Sequence, residues 1–557
     1  MEKNMKKKTT ISLLVVFAAA LALAACGQAS DGAGAAPAAA EAGAAAQPAD
    51  NGAAPAGDSD LLTVSVVNWD LDTSFAGAPC EMYLYIQSRF GLTFDHLDVN
   101  WDNFRELPYL WAAAGTLPEI IGASDRILAP THREWVEAGI IRSLPNDLSR
   151  WPTVQYWVNQ DFVQALAING NIYHIPRGTT LAPVDHSVGT GIMNRRDWRE
   201  QLGIPVPQTE DDFIAMWHAF VDGDMHGDGT RVFGVYPHSP GQLMGQSFQG
   251  HGNTTGNWMW VDGQMVVPAF EESSLMLMSF WRRAFREGLV NPDFLTDPDS
   301  TSITEFAMGR TGTLLRLVVP VHLDRVFEQW VIFQPDIPFH EAVEILPPPR
   351  VPGREFVVAG GGAGAWSETL INSNVDDYTL ERILNFYDWA MSEMGVKTFM
   401  FGFYGQDWVM DGDRVVMLTD INPETGLHFG AGDLYQLAAG GMAYLARWSG
   451  DAVNWFNPNI SPEVMEMAIN HRDNVILGQP LIFSAMCIRV RSIDIPEIRE
   501  MGLLPSHTDE WVIFMTDNSG LSDQELWEQM RARWEANGLL RAYELMTAEV
   551  LARGYLN

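Results

Sequence analysis

The stretch that decides the fold class is LLTVSVV at 61–67, a run of β-branched and aliphatic residues that predicts a short buried strand. Residues 80–90 have the apolar spacing of a helix that ends at Gly91, and residues 94–99 have the pattern of a second strand. Residues 110–122 then read as helix, turn and strand. Strands that alternate with helices indicate βαβ units, so we expect an α/β fold with a mainly parallel sheet.

Helix signals recur towards the C-terminus. Apolar residues in 380–394 have helical spacing, and Gly395 is positioned to end that helix. Ser522 and Glu525 have the spacing of a capping box at the start of another helix, and we expect Gly538 to separate it from the last one. The chain therefore continues with helices after the predicted βαβ units.

The N-terminus has the pattern of an export signal. Residues 3–8 hold four lysines, and residues 11–25 form an apolar run shorter than the about 20 residues that a membrane-spanning helix needs. The letters LAACG at 23–27 resemble a bacterial lipobox. We therefore expect a lipoprotein signal peptide at 1–25 and lipidation, such as by palmitate, at Cys26. A plain signal peptide is the alternative.

Composition separates a tether from the folded part. Residues 27–59 contain no aromatic or branched aliphatic side chain, so we expect a flexible Ala/Gly/Pro tether over 26–60. The rest reads as globular, because 47% of the chain is apolar and only 19% is charged. A formal net charge of −35 argues against nucleic acid as a partner. Pairing of Cys80 with Cys487 stays open.

Five segments carry a family pattern in a fixed order. They are LWAAAGTLPEII at 110–121, GNIYHIPR at 170–177, NRRDWREQLGIPVPQT at 194–209, FREGLVNPDF at 285–294 and the stretch 511–555. In this order, and with the lipobox, they resemble the large extracytoplasmic solute-binding lipoproteins of carbohydrate ABC importers, the family 1 type. The resemblance covers essentially the whole chain after the tether.

The resemblance implies a two-lobed, type II-like periplasmic-binding-protein fold, with a hinge and a ligand cleft between the lobes. We place lobe 1 at about 61–183 and 361–430, and lobe 2 at about 184–360 and 431–557. The implied function is that of a lipid-anchored, monomeric substrate-binding component on the extracytoplasmic face of the cell membrane. It would capture a sugar or oligosaccharide and deliver it to the permease subunits of an ABC importer, with no cofactor required.

We do not expect an enzyme. The sequence contains no HExxH motif and no Walker loop, and GQSFQ at 245–249 lacks the second glycine of a nucleophile elbow. With 70 carboxylates, however, a suitably spaced pair is always available, so a glycan-processing lipoprotein enzyme stays open as an alternative. A solute sensor or adhesin without transport is the other alternative.

Four candidate ligand-binding residues are one aromatic and three charged side chains. Trp69 and Asp70 follow the first predicted strand, and ligands of open α/β sheets bind beyond the carboxyl ends of strands. A ring there could stack on a sugar face while the carboxylate accepts hydroxyl hydrogen bonds. Arg177 and Arg316 could donate to hydroxyls or to an acidic sugar. The alternatives are a core or hinge tryptophan and arginines engaged in ion pairs.

Three further aromatic candidates lie in glycine-containing segments. Tyr404 and Trp408 belong to GFYGQDW at 402–408, and Trp258 follows a similar run. Glycines favour a loop, so these rings need not pack on a helix face, and in the resembling family the 402–408 region tends to line the cleft. A buried loop is the alternative for each.

One acidic segment has the start of a calcium-loop pattern. In DGDMHGDG at 222–229, Asp222, Asp224 and Asp228 stand at relative positions one, three and seven, with a glycine at six. His226 replaces an oxygen ligand, and Phe233 stands where the pattern has a bidentate glutamate. These aspartates are candidate ligands of a structural calcium ion, and a solvated acidic turn is the alternative.

Overall fold

A computed structural model describes residues 61–555 except for 70–79, 101–102, 105, 125–129, 179–189, 238–257, 297–300, 355–364, 413, 424–425, 436–444, 447–456, 477–489, 491–492, 494 and 503–506. The predicted signal peptide and tether, with Cys26, therefore lie outside the described residues, and so do Asp70 and Cys487. Within the described residues, Cys80 forms no disulfide, and its pairing with Cys487 stays untested.

The described strands, in chain order, are β1 (Leu62–Trp69), β2 (Leu92–Val99), β3 (Ile120–Ile121), β4 (His174–Gly178), β5 (Thr190–Arg195), β6 (Phe233–Pro237), β7 (Met259–Val261), β8 (Gln264–Val266), β9 (Thr311–Leu317), β10 (Val343–Leu346), β11 (Ala365–Ile371), β12 (Trp408–Asp411) and β13 (Arg414–Met417).

The described α-helices are α1 (Glu81–Phe90), α2 (Leu107–Ala114), α3 (Pro130–Glu137), α4 (Pro152–Val158), α5 (Asp161–Gln164), α6 (Arg196–Gln201), α7 (Glu210–Asp222), α8 (Leu275–Arg286), α9 (Thr301–Ala307), α10 (Pro320–Phe333), α11 (Phe339–Ala342), α12 (Asp377–Ala390), α13 (Glu393–Phe401), α14 (Ala431–Tyr435), α15 (Pro462–His471), α16 (Pro496–Met501), α17 (His507–Thr516), α18 (Asp523–Ala536) and α19 (Leu539–Ala552). Short 3-10 helices span Pro268–Phe270, Glu272–Ser274 and Pro292–Leu295, and a π-helix spans Arg472–Ile476. Among the helices that the structure describes, none is long and apolar enough to cross a membrane.

Two main sheets organise the fold. The first has the strand order β2-β1-β3-β11-β4, with β1 parallel to β2 and β3, and β11 antiparallel to β3 and β4. The second has the order β10-β5-β9-β6, in which only the β6–β9 pair is parallel. The expectation of an α/β fold is confirmed, but that of a mainly parallel sheet is wrong. The last strand in sequence to join each sheet, β11 in the first and β10 in the second, runs antiparallel to each strand it pairs with.

Side-chain alternation along the central strands gives each sheet a hydrophobic core on both faces. On β1, Val64 and Val66 belong to one buried cluster, while Val67 and Trp69 belong to another. Neighbouring residues of β5 and of β9 in the second sheet likewise divide between two further clusters. Each sheet thus has its own cores, as the two-lobed expectation requires.

The chain passes between the two sheets more than once. It leaves the first sheet after β4, returns between β10 and β11, and leaves again beyond Ala446, which packs in a core of the first sheet. Ile460 packs in a core of the second sheet. The residue bounds proposed above for the two lobes stay predictions.

Local signals explain several helix ends. Gly91, in the left-handed conformation, ends α1, and the Ser522–Glu525 capping box starts α18, both as predicted. Gly538 separates α18 from α19, also as predicted. The prediction that Gly395 ends a helix is wrong: α12 ends at Ala390, and Gly395 lies in α13, where its N–H donates to the capping hydroxyl of Ser392.

Lysine is nearly absent after the first eight residues. Lys397, on α13, is the one lysine beyond Lys8. Its Nζ lies 2.5 Å from Glu393 Oε1, one helical turn away, and its side chain is 12% exposed. Apart from histidines, every other basic side chain beyond Lys8 is therefore an arginine.

Candidate ligand-binding site

The carboxyl edge of the first sheet carries a buried polar and aromatic group, here called the Arg177 cluster: Asn68, Trp69, Gly122, Arg177 and Ser367. Asn68 and Trp69 end β1, and Gly122 directly follows β3. Arg177 Nη1 donates to Ser367 Oγ at 2.7 Å, while Nη2 donates to Gly122 O and to Asn68 Oδ1, at 3.4 Å for the latter. The guanidinium thus ties β1, β3, β4 and β11 together at this edge.

Trp69 is fully buried within the cluster. The Arg177 guanidinium lies 5.1 Å from the centre of its ring, a cation–π distance, and Phe104 meets the ring edge-on at 4.9 Å. The structure therefore brings two predicted site residues, Trp69 and Arg177, into direct contact. In this conformation both are engaged with the protein itself.

Buried polar residues that the sequence analysis did not single out adjoin the cluster. Glu368, on β11, is fully buried and accepts a hydrogen bond from Ser124, which follows β3. A carboxylate in the middle of the strand AWSETLI is the signal that could have identified it, because charged residues are seldom buried without a partner. Ser367 and Asn68, which both accept hydrogen bonds from Arg177, carried no comparable signal.

Two histidines are buried in the same half of the molecule. His174 starts β4 and His132 lies on α3, and their rings meet edge-to-face with centres 5.6 Å apart. Neither His174 nitrogen has a hydrogen-bond partner among the described residues. Burial lowers the pKa of His132 to about 4, helped by Arg133, and burial lowers the pKa of His174 well below its usual value, helped by His132. Both rings are therefore neutral at pH 7.

Two further candidates, Arg316 and Trp258, belong to the second sheet and its core, whereas the Arg177 cluster belongs to the first sheet. Arg316 is buried near the end of β9, opposite Gly191 of β5, at the edge where β6 and β9 terminate. Trp258 is buried in a core of the second sheet and packs edge-to-face on Tyr543 at 5.8 Å. Arg316 thus occupies a strand end, as a ligand contact would, whereas Trp258 has the surroundings of a core residue.

Tyr404 and Trp408 are in contact with each other but differ in burial. Their rings are 5.0 Å apart and nearly perpendicular, but Tyr404 is 47% exposed and Trp408 is fully buried. Trp408 Nε1 donates to Gly402 O at 2.8 Å, and its ring packs with Phe401 in a small core under the β12–β13 hairpin. Of the predicted aromatic residues placed by the structure, Tyr404 alone presents a ring to solvent.

The candidate calcium residues do not form a ligand set. All three aspartates are exposed, and two of them cap the local backbone: Asp224 Oδ1 accepts the Gly229 N–H at 2.9 Å and Asp228 Oδ1 accepts the Thr230 N–H at 2.8 Å. Over the part of the chain that the structure describes, no group of three or more His, Cys, Asp or Glu side chains could hold a metal ion. The expectation of a calcium site at Asp222, Asp224 and Asp228 therefore does not fit this geometry.

Sequence comparison relates the chain to three curated proteins, although no family model matches it. It is 25% identical over 331 residues to a polygalacturonan/rhamnogalacturonan-binding protein, YtcQ, and 24% identical over 213 residues to the lipoprotein LipO, both from Bacillus subtilis. It is 30% identical over 145 residues to the fructooligosaccharide ABC transporter substrate-binding protein FusA of Streptococcus pneumoniae. The matches cover 57%, 36% and 24% of this chain, and 61%, 40% and 26% of the relatives.

Structural similarity extends much further along the chain. An EF-hand mutant of S. pneumoniae FusA in complex with fructo-nystose aligns with a TM-score of 0.65 and 17% identity, over 89% of this chain and 100% of that one. The alginate-binding protein AlgQ2, solved without calcium ion, aligns with a TM-score of 0.64 and 14% identity, over 88% and 98%. These likenesses confirm the two-lobed solute-binding-protein fold.

The chain is thus related to the substrate-binding proteins of ABC transporters, as the sequence resemblance predicts. The curated relatives YtcQ and FusA are described as binders of carbohydrate chains. These relatives and the aligned structures are binding proteins and not enzymes, in agreement with the prediction that this chain is not an enzyme.

Proposed function

We propose that this chain is the lipid-anchored, extracytoplasmic substrate-binding component of an ABC importer for a sugar or oligosaccharide. The observation that carries the proposal is the similarity to two curated relatives that bind carbohydrate chains, one of them an ABC transporter component. The ligand would lie in the cleft between the two lobes, each of which is built around one of the main sheets. The permease would receive the ligand from this cleft. The binder acts as a monomer and requires no cofactor.

The geometry supports this function in two respects. Trp69 and Arg177 lie at the carboxyl ends of parallel strands, and Arg316 lies at the equivalent end of β9 and β6, where open α/β sheets bind ligands. Tyr404 adds an exposed ring of the kind that stacks on the C–H face of a sugar. With Asp70, Trp258 and Trp408, these residues are the proposed site, and Tyr404 is the strongest candidate for direct stacking.

The ligand class can be tested with two probes taken from the relatives. The purified protein is titrated with fructooligosaccharides and with oligogalacturonides while its melting temperature and heat of binding are recorded. When the free ligand concentration is about 100 times the dissociation constant, binding stabilises the folded state by about 2.7 kcal/mol. A true ligand should therefore raise the melting temperature clearly. If neither probe nor a wider glycan panel binds, the proposal fails.

The same titration separates the alternatives. Chromatography of the mixture after prolonged incubation shows whether the oligosaccharide is shortened, which would favour a glycan-processing enzyme. Uptake of the bound sugar by cells with and without this protein distinguishes an importer component from a sensor or adhesin. We expect intact ligand and uptake that depends on the protein.

Anchoring through Cys26 has its own test. Substitution Cys26→Ser removes the thiol that would carry the lipid, so the protein should appear in the medium or stay as the uncut precursor. Fractionation and fatty-acid labelling measure both outcomes, with Cys80→Ser as the matched control. A Cys26→Ser protein that is still labelled and membrane-bound would contradict the assignment.

A further inference from the structure

The segment 222–229 joins α7 to β6 and has a calcium-loop pattern whose side chains have other partners. In a calcium loop the carboxylate oxygens converge on the ion, and a bidentate glutamate closes the site at position twelve. Here Asp224 and Asp228 each accept a backbone N–H within two to five residues of themselves. Position twelve is Phe233, whose ring lies 4.9 Å from the Arg231 guanidinium carbon.

His226 stands at position five, where a calcium loop has an oxygen ligand. Its Nε2 lies 2.8 Å from the carbonyl oxygen of Gly309, so this nitrogen carries the proton and donates it. The imidazole also meets the indole of Trp198 edge-to-face, with ring centres 6.0 Å apart. Trp198 is buried, and Met225, the residue before His226, packs against the same core. Met225 and His226, in the middle of segment 222–229, therefore attach this segment to the rest of the protein.

Gly309 is shaped to receive this contact. It lies between α9 and β9 with a φ of +73°, a conformation that favours glycine. A Cβ at this position would lie 3.0 Å from His226 Cε1 and 3.2 Å from Arg195 Nη1, which is closer than side chains normally approach. The lack of a side chain at Gly309 thus lets the imidazole reach the carbonyl.

We propose that His226 takes the structural place of a bound cation in this loop. Its hydrogen bond to Gly309 and its contact with Trp198 hold segment 222–229 against the start of β9, so the order of the loop does not depend on calcium. The solved FusA relative is described as an EF-hand mutant, which shows that a calcium-type loop exists elsewhere on this fold. This chain keeps the loop and replaces the ion with an imidazole.

The test measures the loop directly, by amide hydrogen exchange with mass spectrometry over 222–233 and 308–312. Substitution His226→Ala removes one net hydrogen bond, so exchange at these peptides should rise about fivefold or more. His226→Gln keeps a side-chain N–H donor and should restore part of the protection. His340→Ala, at an exposed histidine of α11, is the matched control and should leave these peptides unchanged.

The second arm compares millimolar calcium with a chelator for the unsubstituted protein. Exchange in segment 222–229 and the melting temperature should be the same in both conditions. Protection by calcium, or a His226→Ala protein whose loop exchanges as slowly as the unsubstituted one, would overturn the proposal. Both results are independent of ligand binding, so they do not bear on the importer assignment.

Discussion

At the scale of single residues, burial separates two roles that the sequence left together. Trp69, Trp258 and Trp408 are all buried, whereas Tyr404 presents nearly half of its side chain to solvent. An aromatic residue after a strand or between glycines can serve either as a core residue or as a stacking surface, and only its surroundings decide. The Arg177 guanidinium over the ring of Trp69 shows how a strand-end tryptophan becomes part of the scaffold.

Replacing Trp69 and Tyr404 should have different effects. Trp69→Ala removes a fully buried ring and should lower the free energy of unfolding by about 3–5 kcal/mol. Tyr404→Ala removes a ring that is 47% exposed, so its stability cost should be well under that. Denaturant unfolding measures both, and titration with a bound oligosaccharide should show about a tenfold weaker affinity for Tyr404→Ala. Equal stability losses would contradict the distinction.

The buried histidine pair predicts a loss of stability in acid. His132 has a pKa of about 4 in the folded protein and about 6.5 when unfolded, so between these pH values the unfolded state binds more protons. Stability is then full above pH 6.5 and falls as the pH drops towards 4, by about 3 kcal/mol for this group.

His132→Leu should therefore flatten the fall in unfolding free energy between pH 6.5 and 4. His340→Leu, at an exposed histidine, is the control and should leave the slope as it is. Denaturant titrations at several pH values provide the comparison. An unchanged slope in His132→Leu would show that the ring is accessible to protons in the folded state.

At the scale of secondary-structure elements, one buried carboxylate joins three of them in the second sheet. Glu344 on β10 accepts from Arg199 Nε on α6 at 2.6 Å and from Asn194 Nδ2 on β5 at 3.0 Å. Arg199 Nη2 also donates to the second oxygen of Glu344 at 3.0 Å, and these bonds raise the pKa of Arg199 above its usual value. The network fixes the packing of α6 on the edge of the sheet.

Removing this carboxylate should cost much more than removing an exposed one. Glu344→Ala leaves the buried Arg199 charge with only the long 3.5 Å contact to Glu200 as an ion pair, which should lower the free energy of unfolding by about 3–5 kcal/mol. Glu497→Ala breaks an exposed pair with Arg541 and should cost less than about 1 kcal/mol. Denaturant unfolding compares the two variants. A similar cost for both would mean that water or a neighbouring acid replaces Glu344.

The sequence predicted those elements whose signals are local. The strand at 62–69, helix α1 with Gly91, and the Ser522 capping box follow from alternation, helical spacing and caps within a few residues. Strand direction could not be predicted, because β11 joins β3 from about 250 residues away and runs antiparallel to it. Trp408 could not be recognised as buried, since its partner strand β13 and the Gly402 carbonyl cover it only in the folded hairpin.

At the scale of the whole molecule, the two sheets are linked by repeated chain crossings and by side-chain contacts. Glu134, on α3 beside a core of the first sheet, lies 3.7 Å from Arg499, on α16, whose neighbour Ile498 packs in a core of the second sheet. The side chains of Arg499 and Glu134 are 39% and 56% exposed, and such surface pairs contribute little stability. A contact of this strength can form and break easily, which is compatible with the lobe closure that the proposed function involves.

Because lysine is nearly absent from the rest of the chain, the number of reactive amines depends on whether the N-terminal segment has been removed. Four of its five lysines lie within the first eight residues, and the fifth, Lys397, is held in the ion pair with Glu393. An amine-directed acylating reagent should therefore modify five lysines in an unfolded chain that keeps residues 1–25, but only Lys397 and the α-amino group in a chain that begins at Cys26. If the new α-amino group is itself acylated, only Lys397 remains. Intact mass after complete labelling counts these groups, so one chemical reaction would distinguish precursor, cleaved protein and blocked lipoprotein without any antibody or tag.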